Sequence, residues 1–251
     1  MATEAFIRSV ALLAAGEGEE RAGHPWDLPV VRAVAGDGLA LHPHVTYLVG
    51  ENGSGKSTLI EAIAVAAGMN PEGGGRNFDN ATRASHSDLG GALRLARGAR
   101  RPRTDFFLRA ESLFTTATYL ENLPPDSAGN PLDPYGGRSL HEQSHGESFL
   151  AVLVHRFGPN GLYLLDEPEA ALSTQNCLTF LRRMHQLVRD GSQFVVATHS
   201  PIVLAYPGAL IYECGPGGVE PIDYDDAEPV RLMRGFLDAP ERFVERLLAE
   251  E

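Results

Sequence analysis

The chain has 251 residues, 43% of them hydrophobic, and a formal net charge of −12. A chain this long can bury roughly three-quarters of its unfolded surface, while the acidic balance excludes a protein that grips nucleic-acid phosphates over its whole surface. Two cysteines, Cys177 and Cys214, are too few and too far apart for a disulfide framework or a metal cluster, so they read as buried or incidental thiols.

The opening MATEAFIRSV has no basic-then-apolar leader pattern, and no stretch is apolar enough to span a bilayer. The expectation is a cytoplasmic protein. AFIRSVALL and GLALHPHVTYLVG follow as strand candidates, separated by a Gly- and Glu-rich loop that holds the single tryptophan, Trp26. STLIEAIAVAAG has helical spacing and closes on Gly68, a C-cap residue. The next stretch is dense in turn formers. ALRLAR and TDFFLRA then alternate like two strands of a hairpin, ESLFTTATYLENL suits a helix, and PPDSAGNPLDPYGGRS a loop.

From residue 146 the rhythm changes. GESFLAVLVHRFG predicts a helix, GLYLLDEPE a buried parallel strand, LSTQNCLTFLRRMHQLVRDG an amphipathic helix, and SQFVVATHSP and ALIYECG two more buried strands. One or two helices close the chain from Pro229. Strands alternating with helices imply a mostly parallel sheet. The expected fold class is α/β, with a mostly parallel central sheet, an N-terminal antiparallel β lobe and a short helical lobe. One domain is expected, divided into a β-rich lobe (1–110), a helical lobe (111–150) and a core with the C-terminal helices (151–251).

GENGSGKST, Gly50 to Thr58, lies between the strand and the first helix and matches G-x-x-x-x-G-K-S in the context that phosphate-binding loops require, so the expected α/β fold is that of a P-loop NTPase. Gly50, Asn52, Gly53, Ser54 and Gly55 let backbone amides turn toward phosphate oxygens. The helix start at Lys56, Ser57 and Thr58 adds unpaired amides and a favourable dipole. Lys56 supplies a charge for the β and γ phosphates, and Ser57 a hydroxyl for Mg²⁺. Asp166 and Glu167 end a buried strand, where carboxylates come close to such a loop. Asp166 can hold Mg²⁺ through water, and Glu167 can orient or deprotonate an attacking water. His199 ends another buried strand and can donate to a γ-phosphate.

The order phosphate loop, QSHGES, DEPE, EPEAALS, ATHS resembles the ATP-binding-cassette (ABC) ATPase superfamily. It resembles in particular the soluble branch near the DNA-repair and structural-maintenance ATPases, with RecF-like heads and bacterial predicted AAA-type ATPases. QSHGES stands where that superfamily has its signature, keeping the serine and second glycine but not the leucine and first glycine. The resemblance implies that Ser144, Gly146 and Glu147 reach a nucleotide held by a second copy, so ATP and Mg²⁺ would be bound in a sandwich homodimer. Ser144 read alone is a helix cap. Ser173 replaces the usual D-loop aspartate. Glu111 occupies the approximate Q-loop place as a metal or water contact, although no glutamine stands there. The connector from Glu111 to Gln143 is too short for coiled-coil arms.

Trp26 can stack on adenine, or pack in the core or its own loop. Arg94, Arg97, Arg100, Arg101, Arg103 and Arg109 form a local basic cluster that suits either a nucleic-acid patch or solvated arginine stems. Arg76, Arg83 and His86 can cover the nucleotide or belong to a surface loop. Three functions follow. The first is an ATPase whose ATP-driven dimerisation is the working stroke, with room for a further protein partner. The second is the energising subunit of a transporter, and the third a nucleotide-binding regulator of a nucleic-acid or nuclease complex.

Overall fold

The computed structural model describes residues 4–16, 21–36, 38–71, 73–75, 88–110, 113–123 and 130–249. The central sheet has six strands in the spatial order Thr104–Arg109 (β5), Gly161–Asp166 (β6), Gln193–Ala197 (β7), Val45–Val49 (β3), Leu210–Gly215 (β8) and Gly218–Ile222 (β9). The first five are parallel, and β9 turns back antiparallel at the edge. Every residue of β3, β6 and β7 is buried. Apolar cores cover both faces of the sheet, which explains why these strands are continuous apolar runs instead of alternating ones.

Successive side chains in β3 and β6 go to opposite cores. Tyr47, Val49, Tyr163 and Leu165 pack with the helices α5 (His145–Ala151) and α6 (Thr174–Arg189). Leu48, Leu162 and Leu164 pack with helix α2 (Lys56–Ala67) and with a separate three-stranded antiparallel sheet. That small sheet runs Leu39–Ala40 (β2), Ile7–Leu12 (β1) and Leu93–Arg97 (β4). The predicted mostly parallel sheet and antiparallel lobe are therefore both present.

Local chemistry sets the helix ends. Ser173 caps α6 by accepting from the Asn176 N–H at 3.2 Å. Cys177, Phe180, Met184, Leu187 and Val188 then fall on one buried face. Gly68 ends α2 at φ +89°, as its C-cap position predicts. A π-helical turn, Val152–Arg156, extends α5 toward β6. The remaining helices are α1 (Pro29–Ala33), α3 (Leu89–Ala92), α4 (Leu113–Asn122), α7 (Pro201–Leu204), α8 (Glu228–Asp238) and α9 (Pro240–Ala249).

Two strand expectations need correction. ALRLAR and TDFFLRA do not pair as a hairpin. Residues 93–97 join β1 in the small sheet, while residues 104–109 join β6 in the large one. Phe106, Phe107 and Leu108 are buried on both faces, whereas past Leu93 no residue of β4 is fully buried, so the two strands suit different sheets. GLALHPHVTYLVG is likewise two strands, parted at His42–His44, where the Thr46 hydroxyl accepts from the His42 N–H at 2.8 Å. Both cysteines are buried and free, and burial pushes the Cys214 thiol pKa up to about 12.

One side chain ties the two sheets together. The buried Gln193 amide oxygen accepts from the Phe6 and Ile7 N–H groups at 2.9 and 3.0 Å. Its nitrogen donates to the Ile7 and His42 carbonyls at 2.8 and 2.9 Å. Replacing it by alanine strands several buried backbone groups at once. Gln193→Ala is expected to lower unfolding stability by about 3–5 kcal/mol in denaturant melts, and a loss below about 1 kcal/mol would show that water or neighbours satisfy those groups.

Candidate active site

Strand β3 delivers the chain from the centre of the sheet into the loop Gly50–Gly55, and α2 leaves from it. Two glycines are dictated by space as well as by angle. A Cβ on Gly50 (φ +148°) would collide with the Cys214 carbonyl, and one on Gly55 (φ +93°) would lie 2.5 Å from Val30 Cγ1. At Gly53 a Cβ would meet nothing within 4 Å, so that side of the loop is open. No side chain caps the start of α2, and its first amides remain available to an anion.

Lys56 is 4% exposed, yet its ammonium is fully served by the loop itself. It donates to the Gly50 and Glu51 carbonyls at 2.7 and 2.8 Å and to Ser54 Oγ at 3.3 Å. Burial lowers its pKa from the ordinary lysine value, while Cys214, Glu167 and Asp166 pull the other way. The charge is thus held over the loop, not directed away from it.

The parallel register brings the other groups to the same edge. Arg109 pairs across from Asp166, Asp166 from Ala197, and Ala197 from Leu48. Ser57 Oγ donates to Asp166 Oδ1 at 3.0 Å. Arg109 Nε lies 3.4 Å from Asp166 Oδ2, and Arg109 Nη1 lies 2.9 Å from Glu61 Oε2. Ser57 and Glu61 are one turn apart on α2, so one helix face grips Asp166 directly and through arginine. Glu167 leaves the strand in the left-handed region (φ +49°) while its N–H still donates to the Ala197 carbonyl at 2.9 Å. Such a conformation costs a non-glycine residue about 1–3 kcal/mol, and it turns the carboxylate out of the strand direction. His199 Nε2 lies 3.6 Å from Glu167 Oε1, too long for a hydrogen bond, and is buried with no hydrogen-bond partner among the described residues.

Sequence reasoning missed Glu169. Its Oε1 accepts from the His199 and Ser200 N–H groups at 2.6 and 3.1 Å, which fixes the loop that carries His199. The signal was the second glutamate of DEPE. A pocket of ≈ 310 Å³ opens above the phosphate loop, lined by His24, Asn52, Gly53, Ser57, Thr58 and Glu167 among others. Trp26 does not line it. The indole packs against the second core with the Arg21 guanidinium 5.0 Å from its ring centroid, and the ring that reaches the pocket is His24.

Ser144 caps α5 in a capping box. Its N–H and hydroxyl donate to Glu147 Oε2 at 2.9 and 2.7 Å, and the Glu147 N–H returns to Ser144 Oγ at 3.4 Å. These bonds hold the Glu147 carboxyl below its ordinary pKa. Among the described residues, neither Ser144, Gly146 nor Glu147 lines the pocket above the loop. Glu111, Arg76, Arg83 and His86 lie outside the described residues. Three of the six clustered arginines do structural work, while Arg94, Arg101 and Arg103 are exposed. Arg97 donates to the Ala66 carbonyl, Arg100 to Asn160, and Arg109 serves Glu61 and Asp166.

Residues 36–108, which include the phosphate loop, match the family described as an AAA domain. The ribose import ATP-binding protein RbsA 2 of Burkholderia pseudomallei (strain 1710b) is 30% identical over 199 residues, covering 68% of this chain and 37% of its own length. The ribose import ATP-binding protein RbsA of strain K96243 gives the same figures, so the chain spans 37% of the length of these curated relatives. Among solved structures, cbiO1 from Clostridium perfringens, part of the ABC transporter complex cbiONQ, superposes with a TM-score of 0.50 at 16% identity, over 98% of this chain and 99% of that one. The SMC head domain from Thermotoga maritima aligns at 18% identity with a TM-score of 0.41, over 74% and 93%. In its sheet, its loop and its sequence similarity, the chain is an ATPase-type domain related to the ABC ATPases.

Proposed function

We propose that the chain binds ATP with Mg²⁺ at the phosphate loop and hydrolyses it in a homodimer that encloses the nucleotide. The observation that carries this reading is the meeting of Ser57 and Asp166 at 3.0 Å, beside Glu167 and His199 on adjoining strand ends. The residues fit the groups they would hold. The open side of Gly53 and the uncapped amides of α2 suit phosphate, and the unpartnered His199 Nε2 suits an acceptor oxygen. Ser57 and Asp166 would hold Mg²⁺, which when bound neutralises charge on the β and γ phosphates.

The chain's own groups divide the remaining work. Lys56 stabilises negative charge at the terminal phosphates. Glu167 orients a water and takes its proton as the water oxygen bonds to the γ-phosphorus. The bond from that phosphorus to the bridging oxygen breaks, and ADP and phosphate leave. His199 holds a γ-phosphate oxygen, so its contact is lost once phosphate departs. Glu169 keeps its loop in place during the cycle.

The dimer supplies what one copy lacks. The Ser144 hydroxyl and the Gly146 backbone stand on the surface away from the pocket, where motif order would have them meet a neighbour's nucleotide. A second reading, an energising subunit docked to a membrane partner, is favoured by the names of the curated relatives, which are import ATP-binding proteins. No described helix is long and apolar enough to cross a membrane.

Glu167→Gln is expected to lower turnover by about 10²–10⁴-fold and to accumulate a MgATP-dependent dimer by light scattering. Unchanged turnover with no change in mass would exclude the mechanism. The shared site has its own test: Lys56→Ala and Ser144→Arg chains, each inactive alone, should regain up to about a quarter of the wild-type rate when mixed, because mixed dimers hold one complete site. Failure to regain activity, with both variants folded and dimerising, would place Ser144 outside the site.

A further inference from the structure

Helices α8 and α9 present an apolar surface that the other described residues leave uncovered. Every residue from Arg231 to Ala249 is exposed, and Val230 is the only buried residue in α8 and α9. Leu232, Met233, Phe236 and Leu237 on α8, and Phe243, Val244, Leu247 and Leu248 on α9, are all exposed large hydrophobics, with Leu237 and Leu248 each at 67%. Phe236 and Phe243 meet edge to face at 5.7 Å and join the two helices into one hairpin. Helices of 11 and 10 residues are marginal in water without a covered apolar face, and contiguous apolar patches of this kind mark contact surfaces.

The position of the patch identifies what covers it. A groove of ≈ 770 Å³ is lined at one end by Glu51, Asn52 and His199, and at the other by Met233, Phe236 and Phe243. Its first end is the rim of the phosphate loop and the histidine that would hold the γ-phosphate. Whatever closes over that rim in the nucleotide-bound state also reaches the apolar end.

Charge narrows the occupant further. The hairpin carries Arg231, Arg234, Arg242 and Arg246 against Glu228, Asp238, Glu241 and Glu245, four of each sign and a balance of zero, in a chain of net −12. A nucleic acid or an anionic membrane needs a positive surface. A balanced, self-complementary surface suits a twofold contact with itself, and it gives two acidic copies a place to meet without repulsion.

We infer that the α8–α9 hairpin is a second contact between two copies of this chain, closing together with the nucleotide site through the groove they share. This rests on the nucleotide-enclosing dimer proposed above. Occupation of the site and burial of the hairpin then form one event: nucleotide favours the closed pair only by the extra affinity of that pair, and the apolar groove supplies part of it.

The test measures dimerisation of the Glu167→Gln chain by light scattering, with and without MgATP, against the same chain carrying Leu247→Glu and Leu248→Glu. Both leucines are at least 65% exposed, so the single copy should fold and bind a fluorescent ATP analogue as before. The expected result is a MgATP-dependent dimer weakened at least about tenfold by the two glutamates. As a second readout, Leu247→Cys should crosslink to its twin through a bismaleimide only with MgATP, since both native thiols are buried.

An undiminished dimer in the glutamate variant, or no crosslink, would overturn the hairpin contact and leave the enclosing dimer standing. Hairpin-dependent pelleting with phosphatidylserine vesicles would overturn it in favour of a membrane surface. A chain that stays monomeric with and without MgATP would remove both readings. A nucleotide-free dimer abolished by the glutamates would overturn the joint closure and remove the ATP-driven dimer.

Discussion

The register of four neighbouring parallel strands is the constraint on which the rest of the structure depends. Because β5, β6, β7 and β3 run the same way, their C-terminal ends fall on one edge. Arg109, Asp166, Ala197 and Leu48 are aligned there by backbone hydrogen bonds. A slip of one residue in any strand would send its side chains to the opposite face and separate Ser57 from Asp166. Both faces of the sheet are packed, so such a slip would also carry apolar side chains into the wrong core. The cores therefore do more than stabilise: they fix the atomic positions at the edge.

Around that edge the structure places charge under restraint. A lysine that burial disfavours is retained by two carbonyls and a hydroxyl. Asp166 is contacted on one oxygen by Ser57 and on the other by Arg109, which is itself tied to Glu61. The backbone of the His199 loop is pinned by a carboxylate from the turn after β6, while the imidazole Nε2 has no hydrogen-bond partner among the described residues. The bonds that hold the frame are made, and His199 itself lines the neighbouring groove with Glu51 and Asn52, not the pocket directly above the loop. That arrangement is what the proposed hydrolysis would use to meet an anion whose charge changes during reaction.

Arginines have a different use from the one their clustering suggests. In a linear reading they make a basic patch, but in the fold Arg97, Arg100 and Arg109 reach three separate places and act as braces. The hairpin that would have gathered them does not exist, because its two strands belong to different sheets. A run of like charges in sequence becomes a surface field only if the backbone keeps it together; here Arg97 and Arg109 go to different sheets, while Arg101 and Arg103 stay exposed on the connection between them.

The sequence by itself determined the glycine-rich loop between β3 and α2, the carboxylate pair at the end of β6, the His199 strand, the helix caps at Gly68 and Ser144, and the parallel class of the sheet. These are local: each follows from the conformational limits of a few adjacent residues or from the period of an apolar run. Tertiary structure alone decided that β4 and β5 part company, that GLALHPHVTYLVG divides between two sheets, and that His24, not Trp26, faces the pocket. It also decided that Glu169 braces the histidine loop and that Gln193 joins the two sheets. Those outcomes depend on which surfaces remain to be buried after distant strands have paired, and on which backbone groups are left needing a partner. No window of neighbouring residues contains that information, because the competing surfaces and the unpaired groups exist only once the chain has folded back on itself.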